Sequence, residues 1–400
     1  MKLKATLSLQ FLFSIFCFSQ TYDPFIEQVI DETNLDSLVS YVRILSGEDS
    51  VVIGDSTVLI TQRVSSTGND LAAEYIKEKL TGYGLEIYDQ HYSASGRNIY
   101  AIQRGTLYPE EYYIYSAHYD AVTYFCADDD ASGCAGVVEA ARILSSFQFE
   151  YSIVYGFWDE EEIGLVGSAF FAAQADSNQL NIKGVLQFEM SGWDSNNDGL
   201  IDIHTRNISN SVLLGNFMKN IDTLYNLPTV PVVYNPGTTA SDHSSFWQHN
   251  YSAICFSEAY YGGDFNPYYH SSQDRIDKFN LTYFHNVSKL GIATLTALAL
   301  ENFVVSVPDE NIIPEVFSLT NYPNPFNSST IIQYYLSDDD NISLNLYSSL
   351  GEKVSNIFTG FRKSGDHKIH LDGNSLSSGV YFIVLRTSKK NYTHKILLLK

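Results

Sequence analysis

Apolar positions in the first three-quarters of the chain switch repeatedly between helical and strand-like spacing. Over residues 24–45, Phe25, Ile26, Val29, Ile30, Leu38, Val39, Val42 and Leu45 recur at helical intervals and predict one long helix. Residues 46–66 are rich in Gly, Ser and Asp, with a short strand at 58–60. A second amphipathic helix is predicted over 69–80, stopped by Gly82 and Gly84. Strands then follow at 85–92, 98–103, 112–117, 152–158, 182–190 and 253–257, interleaved with helices at 133–147, 167–175, 209–224, 241–249 and 281–303. The 152–158 run is apolar almost throughout, as in a strand covered on both faces. Strands and helices alternating around such a strand predict an α/β domain in three layers, α/β/α.

The pattern changes at Val307-Pro308-Asp309-Glu310. Beyond Pro314, short alternating runs at 331–336, 342–347, 353–357, 367–371, 380–386 and 394–399 are punctuated by Gly351, Gly360, Gly365, Gly373 and Gly379. That is the signature of a small antiparallel, immunoglobulin-like β-sandwich. At the other end, Lys2 and Lys4 precede a nearly continuous apolar run from Leu7 to Phe18, after which Ser19-Gln20 gives way to polar residues. This predicts a secretory signal peptide rather than a membrane span, because the run is too short to cross a bilayer. The expected organisation is therefore a signal peptide at 1–20, a main domain at 21–305, a linker at 306–314 and a sandwich at 315–400.

Composition changes this picture in one respect. The 400-residue chain carries a formal charge of −22, and residues 306–400 hold nine acidic and nine basic side chains. The excess lies in residues 21–305, with 37 acidic against 13 basic side chains. Such a surface repels nucleic acid and anionic membranes, so neither is an expected partner. It favours cationic ligands, including a peptide's free amino terminus, although solubility in salty surroundings accounts for it equally well.

Candidate chemistry gathers at strand ends. His118-Tyr119-Asp120 follows an apolar strand and places His118 and Asp120 on one face, where the carboxylate can orient the ring toward a metal. Asp128-Asp129-Asp130 opens a helix; capping is the ordinary role of such residues, but three adjacent carboxylates repel unless water or a cation screens them. Asp159-Glu160-Glu161-Glu162 follows the buried strand, at the edge where open α/β sheets place ligand sites. Glu189 ends another apolar strand, and His270 lies in Pro267-Tyr268-Tyr269-His270. Mixed nitrogen and carboxylate donors of this kind suit zinc, and bridging carboxylates suit a pair of ions.

In this order, His118-x-Asp120, Asp129-Asp130-Ala131-Ser132-Gly133, Glu161-Glu162-x-Gly164-Leu165-x-Gly167-Ser168, the acid at 189 and Tyr269-His270 resemble the secreted bacterial leucyl-type aminopeptidases, which carry two co-catalytic zincs. Ser241-Asp242-His243 resembles that family too. The resemblance spans about residues 24–305 and implies a zinc-exopeptidase-like fold with a mixed central sheet. It implies that Asp129 bridges two Zn2+ ions, that His118 and Glu189 complete one site, and that Glu162 and His270 complete the other. Asp120 would support His118, Glu161 would be the general base, and Tyr269 would steady the tetrahedral intermediate. The implied activity is hydrolysis of N-terminal residues from peptides or proteins by a two-zinc-activated water. Those aminopeptidases usually carry Asp where this chain has Glu189, which bears on specificity. The alternatives are a carboxypeptidase, dipeptidase or glutaminyl cyclase on the same fold, or a non-catalytic binding protein.

Three further features stand apart. Asp194, Asn196, Asp198, Leu200 and Asp202 occupy positions one, three, five, seven and nine of a calcium-loop spacing, with Gly199 at the sixth, so Ca2+ is a candidate ligand. Thr205 replaces the usual twelfth-position Glu, and an ordinary Asn/Asp/Gly turn is the alternative. Cys126 and Cys134 flank one acidic loop in a chain expected to be exported, so a disulfide is expected, with two buried thiols as the alternative. Finally, Leu319-Thr320-Asn321-Tyr322-Pro323-Asn324-Pro325-Phe326-Asn327, Gly351-Glu352-Lys353-Val354, Leu376-Ser377-Ser378-Gly379-Val380-Tyr381 and the terminal 395–400 segment resemble the C-terminal sorting domain of type IX secretion. That implies export to the surface or medium through the type IX machinery; an adhesion module is the alternative.

Overall fold

The computed structural model describes residues 22–64, 66–300, 319–336, 339–348, 353–387 and 391–400. The expected signal peptide at 1–20 and linker at 306–314 lie outside the described residues. The chain divides into two compact units, Met1–Val305 and Ser306–Lys400.

The first unit opens with α1 (Pro24–Glu32) and α2 (Leu35–Leu45), not the single helix that periodicity predicts. Asp23 and Asn34 each cap a helix start, accepting from Phe25 N and Ser37 N. The Asn34 N–H also donates to the buried Glu139 at 2.8 Å, which pins the break. The apolar period runs through it because both helices bury a continuous stripe that includes Val29, Ile30, Leu38 and Val42. Then come β1 (Val51–Ile53), β2 (Ser56–Val58), α3 (Ser66–Gly82), β3 (Glu86–His91), β4 (Arg97–Gln103), β5 (Tyr108–His118), α4 (Ala131–Leu144), β6 (Tyr151–Trp158), α5 (Val166–Ser177), β7 (Asn181–Phe188), β8 (Leu200–His204), α6 (Ser211–Tyr225), β9 (Val230–Tyr234), α7 (His243–Trp247), β10 (Ala253–Glu258) and α8 (Leu281–Leu300).

β1 and β2 form a small hairpin, while the others build an eight-stranded mixed sheet in the order β3-β4-β6-β5-β7-β10-β8-β9. Its centre, β6-β5-β7-β10, is parallel. β4 and β8 join that centre antiparallel, one on each side. All eight residues of β6 are buried, as its apolar run requires. One face is covered by α3, α4, α6 and α8, and the other by α5 and α7. β8 and β9 are absent from the sequence-based prediction. Asp202 and His204 interrupt the apolar pattern of β8, and β9 is an edge strand containing Pro231, where a missing ladder donor is tolerated.

In the second unit, β11 (Leu319–Tyr322), β12 (Ser329–Leu336), β13 (Asp340–Ser348), β14 (Lys353–Arg362), β15 (Gly365–Asp372), β16 (Gly379–Arg386) and β17 (Asn391–Leu398) form two antiparallel sheets, β11-β12-β15 and β14-β13-β16-β17. Ile332, Tyr334, Leu344, Leu346, Ile383 and Ile396 meet in one core between them, giving the expected sandwich. The Asn-Pro segment latches onto β17: Asn324 accepts from Leu397 N at 2.9 Å, and the Phe326 N–H donates to Leu397 O. Among the described residues, no helix is long and apolar enough to cross a membrane.

Packing between α4 and the sheet is tight enough to test. A Cβ on Gly136 would overlap the Phe188 ring of β7. Gly136→Ala is expected to destabilise the first unit by about 1–3 kcal/mol through overpacking. All three tryptophans, Trp158, Trp193 and Trp247, lie in that unit. A lowered urea midpoint in their fluorescence, with unchanged slope, is the measurement; an unchanged midpoint refutes it.

Candidate metal centre

The parallel centre of the sheet sends its strand ends to one edge. His118 ends β5, the acids at 159–162 follow β6, Glu189 follows β7, and Glu258 ends β10. His270 lies in the loop between β10 and α8, with φ of 58°.

The three adjacent aspartates divide their work. Asp130 accepts from Gly133 N at 2.9 Å, capping α4, and from His118 N at 3.3 Å. Asp128 accepts from Ser191 N, Gly192 N and Asn266 Nδ2 at 2.7–2.9 Å. Asp274 accepts from the N–H groups of Asp128 and Asp129 at 3.0–3.1 Å. Asp129 alone of the three turns its carboxylate toward the two histidines. Its Oδ1 lies 3.2 Å from His118 Nε2, and its Oδ2 lies 3.3 Å from His270 Nε2. His118 Nε2 is 3.3 Å from Glu189 Oε1, and His270 Nε2 is 3.1 Å from Glu162 Oε2.

The supporting contacts are equally specific. Asp120 Oδ1 lies 3.3 Å from His118 Nδ1 and accepts from Glu161 N at 3.0 Å. Asp120 Oδ2 accepts from Glu162 N at 3.1 Å. One carboxylate thus stands beside the histidine ring and holds the backbone of both glutamates. Ser241 Oγ donates to Glu189 Oε2 at 3.0 Å, leaving Oε1 toward His118. No role for the anchors Asp274 and Asn266 was legible in the sequence, and Ser241 stood out only through the Ser241-Asp242-His243 triplet.

Burial and mutual repulsion dominate the electrostatics. Burial pushes Glu161 up to about 10 and Glu162 up to about 8, with Asp129 and other neighbouring carboxylates adding to both shifts. Asp129 goes the other way: burial opposes its ionisation, but the neighbouring His118 and His270 rings hold it below the usual carboxylate range. For His118, burial favours the neutral ring, but Glu189, Glu161, Asp120 and Asp129 together outweigh it and raise the ring well above its ordinary value. His270 is raised by Asp129 first, and then, against burial, by Glu162.

The residues fit zinc. His118, Asp129 and Glu189 form one donor group, and Asp129, Glu162 and His270 a second, each with its atoms within 4.8 Å of one another. Among the described residues these are the groups able to hold an ion. Nitrogen and oxygen donors around tetrahedral zinc stand about 3.3–3.4 Å apart, close to the spacing found here. Asp129 Oδ2 and Glu162 Oε1 are buried without a hydrogen-bond partner, as oxygens awaiting a cation would be.

Other predicted residues fall in varied places. The Tyr269 ring stacks on His270 with centroids 3.7 Å apart. Burial, then the charges of Asp129, Glu162, Glu189 and Glu161, raises its hydroxyl, which stays protonated at neutral pH. Cys126 and Cys134 correct the expected disulfide: both are free, buried thiols. They are held apart by different acceptors, the Cys134 thiol donating to His118 O at 3.1 Å and that of Cys126 facing Thr123 O. In the 194–202 loop, Asp194, Asn196 and Asp198 accept from the loop's own N–H groups at 198–200. Asp202 lies on β8 and accepts from Tyr261 N and Gly262 N. The Leu200 carbonyl accepts from Tyr283 Oη at 2.7 Å.

Residues 98–295, which contain all five expected ligands and Glu161, match peptidase family M28. That segment belongs to this family. Residues 320–399 match the secretion system C-terminal sorting domain, which addresses proteins by type IX secretion to the cell surface or beyond. A probable zinc metalloprotease of Pyricularia oryzae is 31% identical over 42% of this chain and 38% of its own length. Leucine aminopeptidase 1 of Penicillium rubens is 26% identical over 48% of this chain and 53% of its own. The chain therefore spans about half the length of the curated relatives it matches. In fold, the M28 unit is similar to the LapA aminopeptidase of Legionella pneumophila, with TM-score 0.60, 23% identity, and 72% and 78% of the two chains covered. A glutaminyl cyclase of Porphyromonas gingivalis shares the fold at TM-score 0.53 and 16% identity, over 66% of this chain and 98% of its own.

Zinc uptake by the M28 unit should depend on pH in a stated direction. The Nε2 atom of each histidine must be unprotonated to ligate, and both rings hold their extra proton above the ordinary value in the metal-free protein. Zinc binding should release protons, and apparent affinity should rise from about pH 6 to about pH 8. Chelator competition across that range is the check; a flat profile refutes it.

Proposed function

We propose that this protein is an exported two-zinc aminopeptidase, with metals held by His118, Asp129, Glu162, Glu189 and His270. The observation carrying the proposal is the pair of histidine–carboxylate groups that share Asp129, one oxygen to each. When bound, zinc polarises the scissile carbonyl, acidifies water and draws the adjoining carboxyls toward ionisation. Glu161 serves as general base: it takes a proton from the attacking water and passes it to the leaving amine. Its backbone, tied to Asp120, keeps it beside the histidine that the same carboxylate orients. Tyr269 Oη, kept protonated, donates to the oxygen that becomes negative in the transition state.

The charge around the centre supports action on a free amino terminus. Arg275 and Lys278, the cations that follow His270 in the chain, are paired with Glu48 and Asp277. Among the described residues, no Arg or Lys forms an ion pair with a carboxylate of the centre. A carboxypeptidase needs a cation for the substrate's terminal carboxylate, whereas this wall attracts an ammonium group. A complete second donor group also favours two ions over the one-zinc cyclase alternative. For the 194–202 loop, the bonds to its own N–H groups favour an ordinary capped turn over a calcium cage.

Glu161→Gln is expected to lower turnover by about 10²–10⁴-fold while two zincs per chain remain bound. The assay compares amino-acid anilides with N-blocked peptides, alongside metal counting. Cleavage of blocked substrates alone would sink the aminopeptidase assignment, and full activity in Glu161→Gln would sink the assigned base.

We infer further that residues 315–400 engage the type IX machinery as a separable address. Deleting them should leave active enzyme inside the periplasm. Unchanged appearance of the truncated enzyme in the medium would show that export does not depend on the tail.

A further inference from the structure

Arg63 lies between β2 and α3 and is 1% exposed. Its Nε donates to Tyr119 O at 2.8 Å. Nη1 donates to Leu45 O at 2.7 Å and to Phe125 O at 3.0 Å. Nη2 donates to Cys126 O at 2.8 Å and to Asp129 O at 3.2 Å. A guanidinium has five N–H donors, and all of them are used here on backbone carbonyls.

The identity of those carbonyls is the informative part. Tyr119 stands between His118 and Asp120. Phe125, Cys126 and Asp129 belong to the segment that ends at the bridging carboxylate. Phe125 and Cys126 have φ of 70° and 47°, a left-handed turn that non-glycine residues seldom adopt, and both of their carbonyls point to Arg63. The Leu45 carbonyl ties the cluster to the end of α2. The Arg63 carbonyl in turn accepts from Asn69 Nδ2, which also donates to Asp159 Oδ1 at 2.7 Å. The acid run following β6 is thereby tied to the same anchor.

We propose that Arg63 is a positioning residue for the metal centre. Its planar five-donor fork holds residues 119–129 in place, so that Asp120 and Asp129 reach their positions before any ion arrives. It does not touch the metals or the substrate. Lysine keeps the charge but offers three donors at a single point, so it cannot hold five carbonyls at once. This inference rests on the two-zinc reading for its consequence, though not for the loop geometry itself.

The test uses Arg63→Lys in the full chain, with two measurements. Zinc affinity is read by competition with a chelator, and amide hydrogen exchange is read on the metal-free protein. The expected result is zinc binding weaker by about 10–100-fold, the usual effect of losing a group that orients ligands. Exchange protection should fall over residues 119–130 and persist in β5, β6 and β7. Wild-type zinc affinity and wild-type protection in Arg63→Lys would overturn the proposal. So would protection lost evenly across the first unit, or failure to fold, since either makes Arg63 a general stability residue. If the wild-type protein itself takes up no zinc, the metal reading fails, while the exchange pattern still decides the role of Arg63.

Discussion

The Asp129 carboxylate faces His118 with one oxygen and His270 with the other, and it is 2% exposed. Most of the carboxyl edge of the sheet is arranged around that shared carboxylate. Burying one ionised acid is costly, and burying it beside several others is untenable unless each has a partner or gives up its charge. The fold answers by assigning the neighbouring acids to backbone N–H groups. Asp128, Asp130, Asp274, Asp120 and Asp159 all accept backbone donors. What remains unbalanced is the cluster of His118, Asp129, Glu162, Glu189 and His270 itself, whose repulsion a bound cation would relieve.

That assignment also locates the bent backbone. Phe125, Cys126, Glu160 and His270 all have positive φ without being glycine, and all lie in the segments that deliver donors to the centre. Such conformations persist only where surrounding contacts over-determine them, and they concentrate at functional sites. Here those contacts include the Arg63 guanidinium, the Asp159 carboxylate accepting from Glu160 N, and the Tyr269 ring against His270. Rigidity at the strand ends and strain in the loops are two sides of one arrangement.

Much of this was legible in the chain. The apolar run of β6 identified the buried middle of the sheet, and the acid run after it marked the edge where a site belongs. The family resemblance singled out Asp129 from its two neighbours, which spacing alone could not do; in the structure those neighbours accept backbone donors. Less was legible where tertiary partners decide the outcome. The break between α1 and α2 depends on Glu139, more than a hundred residues away. β8 hid because its polar residues face partners from the 259–262 loop and β9, and so read as part of a metal-binding turn. Cys126 and Cys134 are close in sequence, but each thiol has a carbonyl of its own. Arg63 carried no signal, since a lone arginine gives no hint that its partners are backbone carbonyls.

Glu189 is the position at which the resemblance leads one to expect Asp. Relative to Asp, it adds one methylene between the strand and the carboxylate. Its backbone N–H is still bonded to Phe256 O at 3.1 Å, so the strand end stays in register with β10 and the extra length must be taken up by the side chain. Ser241 Oγ meets Oε2 and so removes the freedom that a longer arm would otherwise have. On the far side of the His118 ring, Asp120 Oδ1 stands 3.3 Å from Nδ1. Glu189, bonded to Ser241, belongs to the donor group that lacks His270 and Tyr269. The two halves of the centre thus differ in wall as well as in ligands: one is backed by a stacked aromatic ring, the other by a serine-anchored carboxylate.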